Sequence, residues 1–405
     1  MRFLFVHQNF PGQYLHIVRH LAANPANEVL FIAELSPAEL PGVRRLSYSF
    51  DRGKRLEIHP GVQDYEVALH RADKVAAMAK NLKALGFRPD IVIGHQGWGE
   101  MLHLADIWPG APMLGYFEFY YNTQGFDVNF DPEFPMQPDY QPRVRAMNAI
   151  NHAALALGQH GQTPTKFQLS TYPAWTQAQI ELLPEGVRLD LCRPDPKAAQ
   201  ETFEVGGMRI GPGDKLVTYV ARNLEPYRGF HTMMRALPRL LATRPDVKVA
   251  MLGGDGVSYG SPLDGETWRA HFTRLLAGKY DAARVAMPGT APYETHLRLL
   301  QRSDAHVYLT YPFVASWSLR EAMACGCAII GSDVEPVREF VADRRTGLLV
   351  RPLDHDATTD AILEVLEDQT ATRKLRRAAR RHAEQNLDVQ QHIRAFESRI
   401  AELAG

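Results

Sequence analysis

The sequence predicts an α/β protein of two doubly wound domains, each built on a parallel sheet, that face a central cleft. Three observations support this fold class. Short apolar runs bounded by Pro, Gly or charged residues alternate with helical patterns, as buried parallel strands alternate with helices. This alternation restarts after residue 214. With 405 residues, the chain also exceeds what one ordinary core accommodates.

The first series of elements begins directly at the N-terminus. The pattern of residues 71–86, "RADKVAAMAKNLKALG", predicts a helix between strands. The predicted strands are 2–8, 29–33, 90–95, 112–118 and 153–158. Ligands in such sheets bind beyond the carboxyl ends of the strands, so the residues that follow each strand are the first candidates for a site.

The second series follows residues 192–214, a stretch rich in Pro, Gly and charge that is typical of a linker. Residues 229–245 are predicted as its first helix. Its predicted strands are 215–222, 247–254, 284–289, 305–312, 327–333 and 347–350. The expected domains are therefore 1–205 and 206–385, with a C-terminal helix in 386–405 that packs back on the first domain.

Composition excludes several classes of protein. The apolar content of 45% and charged content of 22% are typical of a globular protein, and a net charge of -1 predicts no nucleic-acid binding. Cys192, Cys325 and Cys327 are too few and too irregularly spaced for a disulfide framework or zinc site. The N-terminus lacks the pattern of a signal peptide, and no apolar run is long enough to span a membrane. We therefore expect a reducing, cytoplasmic location.

The stretch "VARNLEPYRG" at 220–229 carries the clearest chemistry. Arg222 ends a predicted strand, and Arg228 precedes a predicted helix that begins near Gly229. A helix N-terminus presents free N–H groups and partial positive charge, and arginine offers paired donors to phosphate oxygens. The pattern predicts a diphosphate site, with two solvated surface arginines as the alternative.

Three further stretches are weaker evidence for a ligand site when each is taken alone. "LGGDG" places Gly253 and Gly254 after a strand, where a ligand could approach the backbone. Gly12, in the loop after the first strand, has backbone that could face a phosphate or an acceptor. Glu321 lies early in a predicted helix, where a carboxylate could accept hydrogen bonds from a ribose diol. Ordinary turns and a favourably placed helix glutamate are the alternatives.

In combination these stretches resemble one family. "YVARNLEPYRGF", "LGGDG", "SLREAMACGCAIIGSD", "EPVREFV" and "DRRTGLLVRPLD" resemble, in order and spacing, the C-terminal domain of retaining glycosyltransferases of family 4. That family has the GT-B fold of two Rossmann-like domains. The resemblance implies that 1–205 binds an acceptor and that 206–385 binds a nucleotide sugar. "FVHQNFPGQY", "PDIVIGHQGWGE" and residues 181–194 carry a weaker resemblance to the first domain.

The resemblance implies roles for individual residues. Arg222 and Arg228 would hold the donor diphosphate, with Gly253 and Gly254 close to the donor. Met287 would border the nucleotide base, and Glu321 would contact the ribose. The implied partners are a nucleotide sugar and a glycan, lipid-linked or small-molecule acceptor. The donor is a substrate, so no separate cofactor is implied. No metal is implied either, because the arginines and the helix start supply the positive charge.

The sequence departs from the family pattern at two places. The family has a glutamate eight residues before Glu321, where this chain has Phe313. Either Ser316, Trp317 and Ser318 form that edge of the sugar pocket, or the donor lacks the hydroxyl that the glutamate would meet.

The second departure lies in the first domain. The family often has a histidine after the strand that matches 112–117, where this chain has Glu118. We interpret Glu118 and the strand-end residue His95 as catalytic candidates, with a loop-capping role as the alternative for His95.

Other functions stay open at this point. Nucleotide-sugar 2-epimerases share the fold, although the two-arginine loop and "REAMACG" fit them less well. A non-catalytic nucleotide-binding pseudoenzyme is the second alternative. The basic stretch "RKLRRAARRH" at 373–382 is consistent with a solvated helix face or with peripheral contact to the inner membrane face.

Overall fold

A computed structural model of the chain describes residues 1–50, 58–137 and 140–405. The chain divides into two compact units. The first comprises residues 1–185 and 389–405, and the second comprises residues 186–388. Among the described residues, no helix is both long and apolar enough to cross a membrane.

The first unit is built on a seven-stranded sheet in the order β3-β2-β1-β4-β5-β6-β7, in which every neighbouring pair is parallel. Its strands are β1 Arg2–Val6, β2 Glu28–Glu34, β3 Val43–Tyr48, β4 Ile91–His95, β5 Met113–Tyr116, β6 His160–Thr163 and β7 Ile180–Leu182. Its helices before residue 185 are α1 Leu15–Ala22, α2 Gln63–Ala84, α3 Leu104–Ile107, α4 Gln141–Ala146, α5 Ala149–Ala156, α6 Lys166–Thr171 and α7 Ala174–Gln177. The strand order reverses direction beside β1, as doubly wound sheets do.

One predicted strand of this unit is wrong. Residues 153–158, "AALALG", fall mostly in α5, and the strand β6 follows at His160–Thr163. Small apolar residues fit a helix as readily as a short strand, whereas the actual strand sequence "HGQT" has no apolar run to reveal it. The edge strands β3 and β7 also escaped prediction, because "VRRLSY" is largely polar and "IEL" is very short.

The second unit is built on a six-stranded parallel sheet in the order β12-β11-β10-β13-β14-β15, with a small antiparallel pair β8-β9. Its strands are β8 Phe203–Val205, β9 Met208–Ile210, β10 Lys215–Asn223, β11 Val247–Gly254, β12 Val285–Gly289, β13 Ala305–Tyr308, β14 Ile329–Ser332 and β15 Leu348–Val350. Its helices are α8 Phe230–Thr243, α9 Trp268–Leu275, α10 Tyr293–Arg302, α11 Trp317–Ala324, α12 Glu335–Arg338, α13 His355–Glu367 and α14 Gln369–Asn386.

The connecting residues 186–205 belong to the second unit, whereas the sequence interpretation assigned them to the first domain. Hydrogen bonds explain this placement. The backbone N–H of Val187 donates to the carbonyl of Leu387 at 2.8 Å, and Arg380 Nη1 donates to the carbonyl of Cys192 at 2.7 Å. These backbone contacts are invisible to a composition-based linker assignment.

The last helix, α15 Val389–Ala404, belongs to the first unit. It buries Val389, Ile393, Phe396 and Ile400 in the same core cluster as the side chains of β1. The spacing of these four residues places them on one helix face, so burial of that face holds the helix on the unit.

A buried histidine in the second unit makes its stability depend on pH. His306 on β13 is fully buried, and its Nδ1 lies 2.8 Å from Thr218 Oγ1. Burial, with a smaller contribution from His296, lowers the pKa of His306 to about 3. The unfolded chain binds this proton below pH ~6.5 and the folded chain does not, so the stability rises with pH between about 3 and 6.5.

We expect the free energy of unfolding to fall by at most ~1.4 kcal/mol per pH unit below pH ~6.5 from this group. His306→Asn keeps a side chain that can hydrogen-bond Thr218 but cannot titrate. Urea unfolding at pH 5 and pH 7 should therefore show a smaller pH dependence in the variant. An equal pH dependence in both proteins would show that His306 does not govern acid sensitivity.

Candidate functional site

The first unit concentrates polar side chains at the carboxyl ends of its strands, where ligands of doubly wound sheets bind. Each strand contributes a polar residue at or shortly after its last position. These residues are His7 after β1, Glu34 on β2, Tyr48 on β3, His95 on β4, Glu118 after β5, Thr163 on β6 and Glu185 after β7. This edge of the sheet is the candidate site of the unit.

His95 and Glu118 lie together at this edge, as the strand order requires for neighbours β4 and β5. His95 Nε2 is 3.4 Å from a carboxylate oxygen of Glu118, and Gln13 Nε2 lies 3.5 Å from the other oxygen. The backbone N–H of Gly97 donates to His95 Nδ1 at 3.0 Å, so the ring hydrogen is on Nε2, which lies near Glu118 without a hydrogen bond to it. His95 is buried, whereas the Glu118 side chain is 23% exposed. A ligand would therefore meet the carboxylate, with the imidazole behind it.

His7 is a member of this cluster that the sequence interpretation missed. Its ring is buried and packs edge-to-face against the ring of His95, with centroids 5.1 Å apart. Gly12 lies directly against it, because a Cβ at Gly12 would be 2.9 Å from His7 Cε1 and Nε2. Gly12 also has a φ of 55°, a left-handed conformation that favours glycine. Both this conformation and the contact with His7 therefore require a residue without a side chain. The strand-end rule that identified His95 would have found His7.

Glu100 lies near His95 but is enclosed by protein. It is fully buried, and Tyr48 donates a hydrogen bond to its Oε1 at 2.9 Å. Burial raises the pKa of Glu100 above the usual range. This carboxyl is too enclosed to meet a ligand, so we assign it a structural role behind His95.

In the second unit, Arg228 occupies the turn between β10 and α8. Gly229, with a φ of 72°, follows it, and α8 begins at Phe230. A Cβ at Gly229 would lie 2.3 Å from Leu309 Cβ, so only glycine fits. The sequence thus forces a tight turn that delivers Arg228 to the start of a 14-residue helix.

The Arg228 guanidinium is 6% exposed and is held by neutral groups. Its Nη1 donates to Thr310 Oγ1 at 3.2 Å and to the carbonyl of Val314 at 2.9 Å. It lies 5.0 Å from the ring centroid of Tyr259 and 5.9 Å from that of Phe313. Within residues 1–50, 58–137 and 140–405, no carboxylate pairs with it. A buried guanidinium that no carboxylate pairs with directly is a strong site for an anion.

The acidic residue closest to Arg228 in sequence is engaged elsewhere. Glu225 is fully buried, and its carboxylate accepts backbone N–H groups from Ser258 at 3.0 Å, Tyr259 at 3.4 Å and Gly260 at 3.1 Å. These bonds hold the loop that carries the Tyr259 ring over Arg228. Glu225 therefore orders the loop without neutralising the guanidinium by a direct ion pair.

Arg222, near the end of β10, is exposed, so its environment differs from that of Arg228. Gly253 and Gly254 end the neighbouring strand β11. A Cβ at Gly253 would lie 2.8 Å from Leu224 Cδ2, and one at Gly254 would lie 2.6 Å from Asn223 Oδ1. The two glycines therefore allow close packing against the segment that carries Arg222.

Glu321 lies on α11 and faces two donors from α10. Tyr293 donates its hydroxyl to Glu321 Oε1 at 2.7 Å, and His296 Nε2 lies 2.8 Å from Oε2. Neither Tyr293 nor His296 was recognised from sequence, because their separation from Glu321 along the chain conceals the contact. The carboxylate is thus oriented by protein groups before any ligand binds.

The start of α11 is also ordered by local hydrogen bonds. Ser316 precedes the helix, and its backbone N–H donates to the Tyr308 hydroxyl at 2.7 Å. The hydroxyls of Ser316 and Ser318 are 2.6 Å apart, and Trp317 between them is partly exposed. Ser316 and Ser318 are likewise partly exposed, and their position at a sugar pocket stays a prediction.

Phe313, which stands where the family has a glutamate, lies in the interior of the second unit. It is 2% exposed, and its ring centroid lies 4.6 Å from that of Tyr259 and 5.4 Å from that of Tyr227. Phe313 is therefore a core residue of an aromatic cluster beneath Arg228. Burial against rings from separate loops decides this, and sequence alone does not report those neighbours.

Met287 lies on the edge strand β12, where it was expected to border a base. Its carbonyl accepts a hydrogen bond from Arg269 Nη1 at 2.7 Å. The backbone carbonyl of Met287 is therefore already hydrogen-bonded to another residue of the protein.

Comparison with known proteins relates the chain to known glycosyltransferases. Residues 25–192 match the family described as Glycosyl transferase family 4 group, and residues 207–382 match Glycosyl transferases group 1. The chain is 27% identical over 277 residues to a GDP-mannose-dependent alpha-(1-6)-phosphatidylinositol monomannoside mannosyltransferase of Mycolicibacterium smegmatis, covering 67% of this chain and 66% of that protein. It is 33% identical over 209 residues to a D-inositol 3-phosphate glycosyltransferase of Mycobacteroides abscessus, covering 51% of this chain and 43% of that protein. The matched segments thus span less than two thirds of these curated relatives.

Solved structures agree on the fold. A sucrose-phosphate synthase from Thermosynechococcus elongatus superposes with a TM-score of 0.72 at 16% identity, covering 100% of this chain and 99% of that one. A glycosyltransferase from Rickettsia africae gives a TM-score of 0.67 at 14% identity, covering 99% and 98%. The predicted GT-B fold is confirmed, and the chain combines a domain of the glycosyl transferase family 4 group with a following domain of glycosyl transferases group 1.

Proposed function

We propose that this protein transfers a sugar from a nucleotide-diphosphate sugar to an acceptor hydroxyl. The observation that carries the proposal is Arg228, a buried guanidinium at the start of α8 that is hydrogen-bonded only to neutral acceptors among the described residues. A diphosphate supplies the missing negative charge, and its oxygens match the remaining guanidinium donors. Exposed Arg222, on the preceding strand end, is the second cation of this donor site.

The same groups account for catalysis. Negative charge grows on the diphosphate as the glycosidic bond breaks, and a fixed guanidinium with a helix N-terminus stabilises that charge. The resemblance to retaining enzymes supports transfer with retention of anomeric configuration. We propose that the reaction needs no added metal ion, because protein groups supply the positive charge. Turnover that persists in excess EDTA would support this, and turnover restored only by Mg²⁺ would refute it.

The first unit supplies the acceptor side of the proposal. Glu118 presents a partly exposed carboxylate backed by the His95 ring, an arrangement that can accept a hydrogen bond from an acceptor hydroxyl. In this proposal Glu118 accepts the hydrogen bond of the acceptor hydroxyl, and the buried His95 ring lies behind the carboxylate. The names of the matched relatives, with inositol-containing acceptors, support a polyhydroxylated acceptor, either lipid-linked or free.

The identity of the donor nucleotide is to be determined first. A thermal-shift series with UDP, GDP, ADP and dTDP, followed by their hexose conjugates, should identify one diphosphate that raises the melting temperature. GDP-mannose is the first conjugate to try, because the Mycolicibacterium relative is GDP-mannose-dependent. The proposal fails if none of the diphosphates stabilises the protein.

Product analysis then separates the proposed activity from its alternatives. Incubation with the stabilising donor and a panel of inositol-containing and glycan acceptors should yield a glycosylated product. An epimerised donor formed without acceptor would indicate an isomerase. Binding without turnover against every acceptor would indicate a pseudoenzyme.

A further inference from the structure

Two neighbouring side chains of α10 converge on Glu321. Tyr293 and His296 are three residues apart, which places them on one face of the helix. Tyr293 donates to Oε1 at 2.7 Å, and His296 Nε2 is 2.8 Å from Oε2, so each carboxylate oxygen has its own partner. The two rings also pack together, with centroids 5.7 Å apart.

This arrangement fixes the Glu321 carboxylate without occupying all of its hydrogen-bond acceptor positions. An ionised carboxylate has about four acceptor positions on its two oxygens, so roughly two stay available after these bonds form. The side chains of His296 and Glu321 are 11% and 12% exposed, whereas Tyr293 is 49% exposed. The carboxylate therefore lies at the border of the protein, where a ligand with two adjacent donors can reach it.

The tyrosine hydroxyl stays a donor at neutral pH. Burial, followed by the negative charge of Glu321, raises the pKa of Tyr293 well above its usual range. The hydroxyl also lies 3.5 Å from Cys192 Sγ, which anchors it from behind. Since Tyr293 keeps its proton, the orientation of Glu321 Oε1 does not change across the physiological range.

We infer that Tyr293 and His296 are positioning residues that orient Glu321 to accept both hydroxyls of a ribose, so that the protein distinguishes ribonucleotides from 2′-deoxyribonucleotides. The inference rests on the proposed function, because it concerns the nucleotide of the donor. A carboxylate free to rotate would lose entropy on binding and would also accept other hydrogen-bond geometries. One held by two donors is pre-organised for the diol.

The test compares a nucleoside diphosphate with its 2′-deoxy form, using isothermal titration calorimetry and the base that stabilises the protein most among UDP, GDP and ADP. We expect the parent protein to prefer the ribo form by ~10-fold or more, as the loss of one charge-assisted hydrogen bond implies. In Tyr293→Phe and in His296→Ala, this ratio should fall several-fold, with a smaller change in affinity for the 2′-deoxy form. His296→Gln, whose amide can donate to the same oxygen, should regain part of the ratio.

The control variants distinguish a positioning role of Tyr293 and His296 from a folding defect and from a failure of the proposed donor binding. Tyr280→Phe removes a tyrosine hydroxyl elsewhere in the second unit and should leave the ratio unchanged. If Glu321→Gln abolishes the preference while Tyr293→Phe and His296→Ala retain it, the positioning inference is wrong and the donor proposal stands. If the parent binds both forms equally, or if Glu321→Gln leaves the ratio intact, the ribose contact itself is absent. A parent protein that binds no nucleoside diphosphate overturns the proposed function as well.

Discussion

Arg228→Gln is expected to lower turnover on the order of 10²- to 10³-fold, as the loss of one fixed transition-state donor does. The guanidinium is buried, is held by Thr310 and Val314, and has no carboxylate partner in the described part of the chain. Its charge is therefore available to the diphosphate. Glutamine retains hydrogen-bond donors but removes that charge, so the loss should be larger in kcat than in the affinity for a donor conjugate.

The measurement is steady-state kcat and KM for the donor identified by thermal shift. Arg351→Gln is the matched control, because Arg351 is an exposed arginine of the same unit that pairs with Asp354. Arg222→Gln tests the exposed member of the pair, for which we also expect a loss of 10²- to 10³-fold if it meets the diphosphate. Unchanged kinetics in both Arg222 and Arg228 variants would remove the diphosphate site from the proposal.

Phe313→Glu is expected to reduce activity with every donor by a similar factor. The Phe313 ring lies 5.9 Å from the Arg228 guanidinium and is buried among Tyr227 and Tyr259. A glutamate introduced there would disrupt the aromatic cluster against which the Arg228 guanidinium packs. It would also replace a packed aromatic ring by a buried carboxylate, at a cost of about 3–5 kcal/mol in stability.

Two measurements test this prediction. The first is kcat/KM for two donors that differ in one sugar hydroxyl, in the parent protein and in Phe313→Glu. The second is the melting temperature, with Phe313→Leu as an apolar control that should keep the Arg228 side chain in place and most of the activity. A change in donor preference that exceeds the common loss would contradict the core assignment. It would mean that residue 313 meets the sugar directly.

The fold class and family were predictable because they rest on local patterns. Buried parallel strands appear as short apolar runs, and the restart of the strand–helix alternation after residue 214 indicated the second domain. The turn that carries Arg228 was equally visible, since a strand end, an arginine and a glycine before a helix are adjacent in sequence. His95 and Glu118 were both identified as candidates at strand ends, and the parallel pairing of β4 and β5 brings them together.

The tertiary structure decided what each of these residues touches. Glu225 is three residues before Arg228, yet its carboxylate binds the backbone of residues 258–260. Phe313 is buried by rings from other loops, and Glu321 receives its donors from α10. The sequence by itself determined two α/β domains and the residue types at their strand ends. Burial and counter-ion placement are set by segments distant along the chain, so only the folded structure shows that Arg228 is buried without a directly paired carboxylate among the described residues.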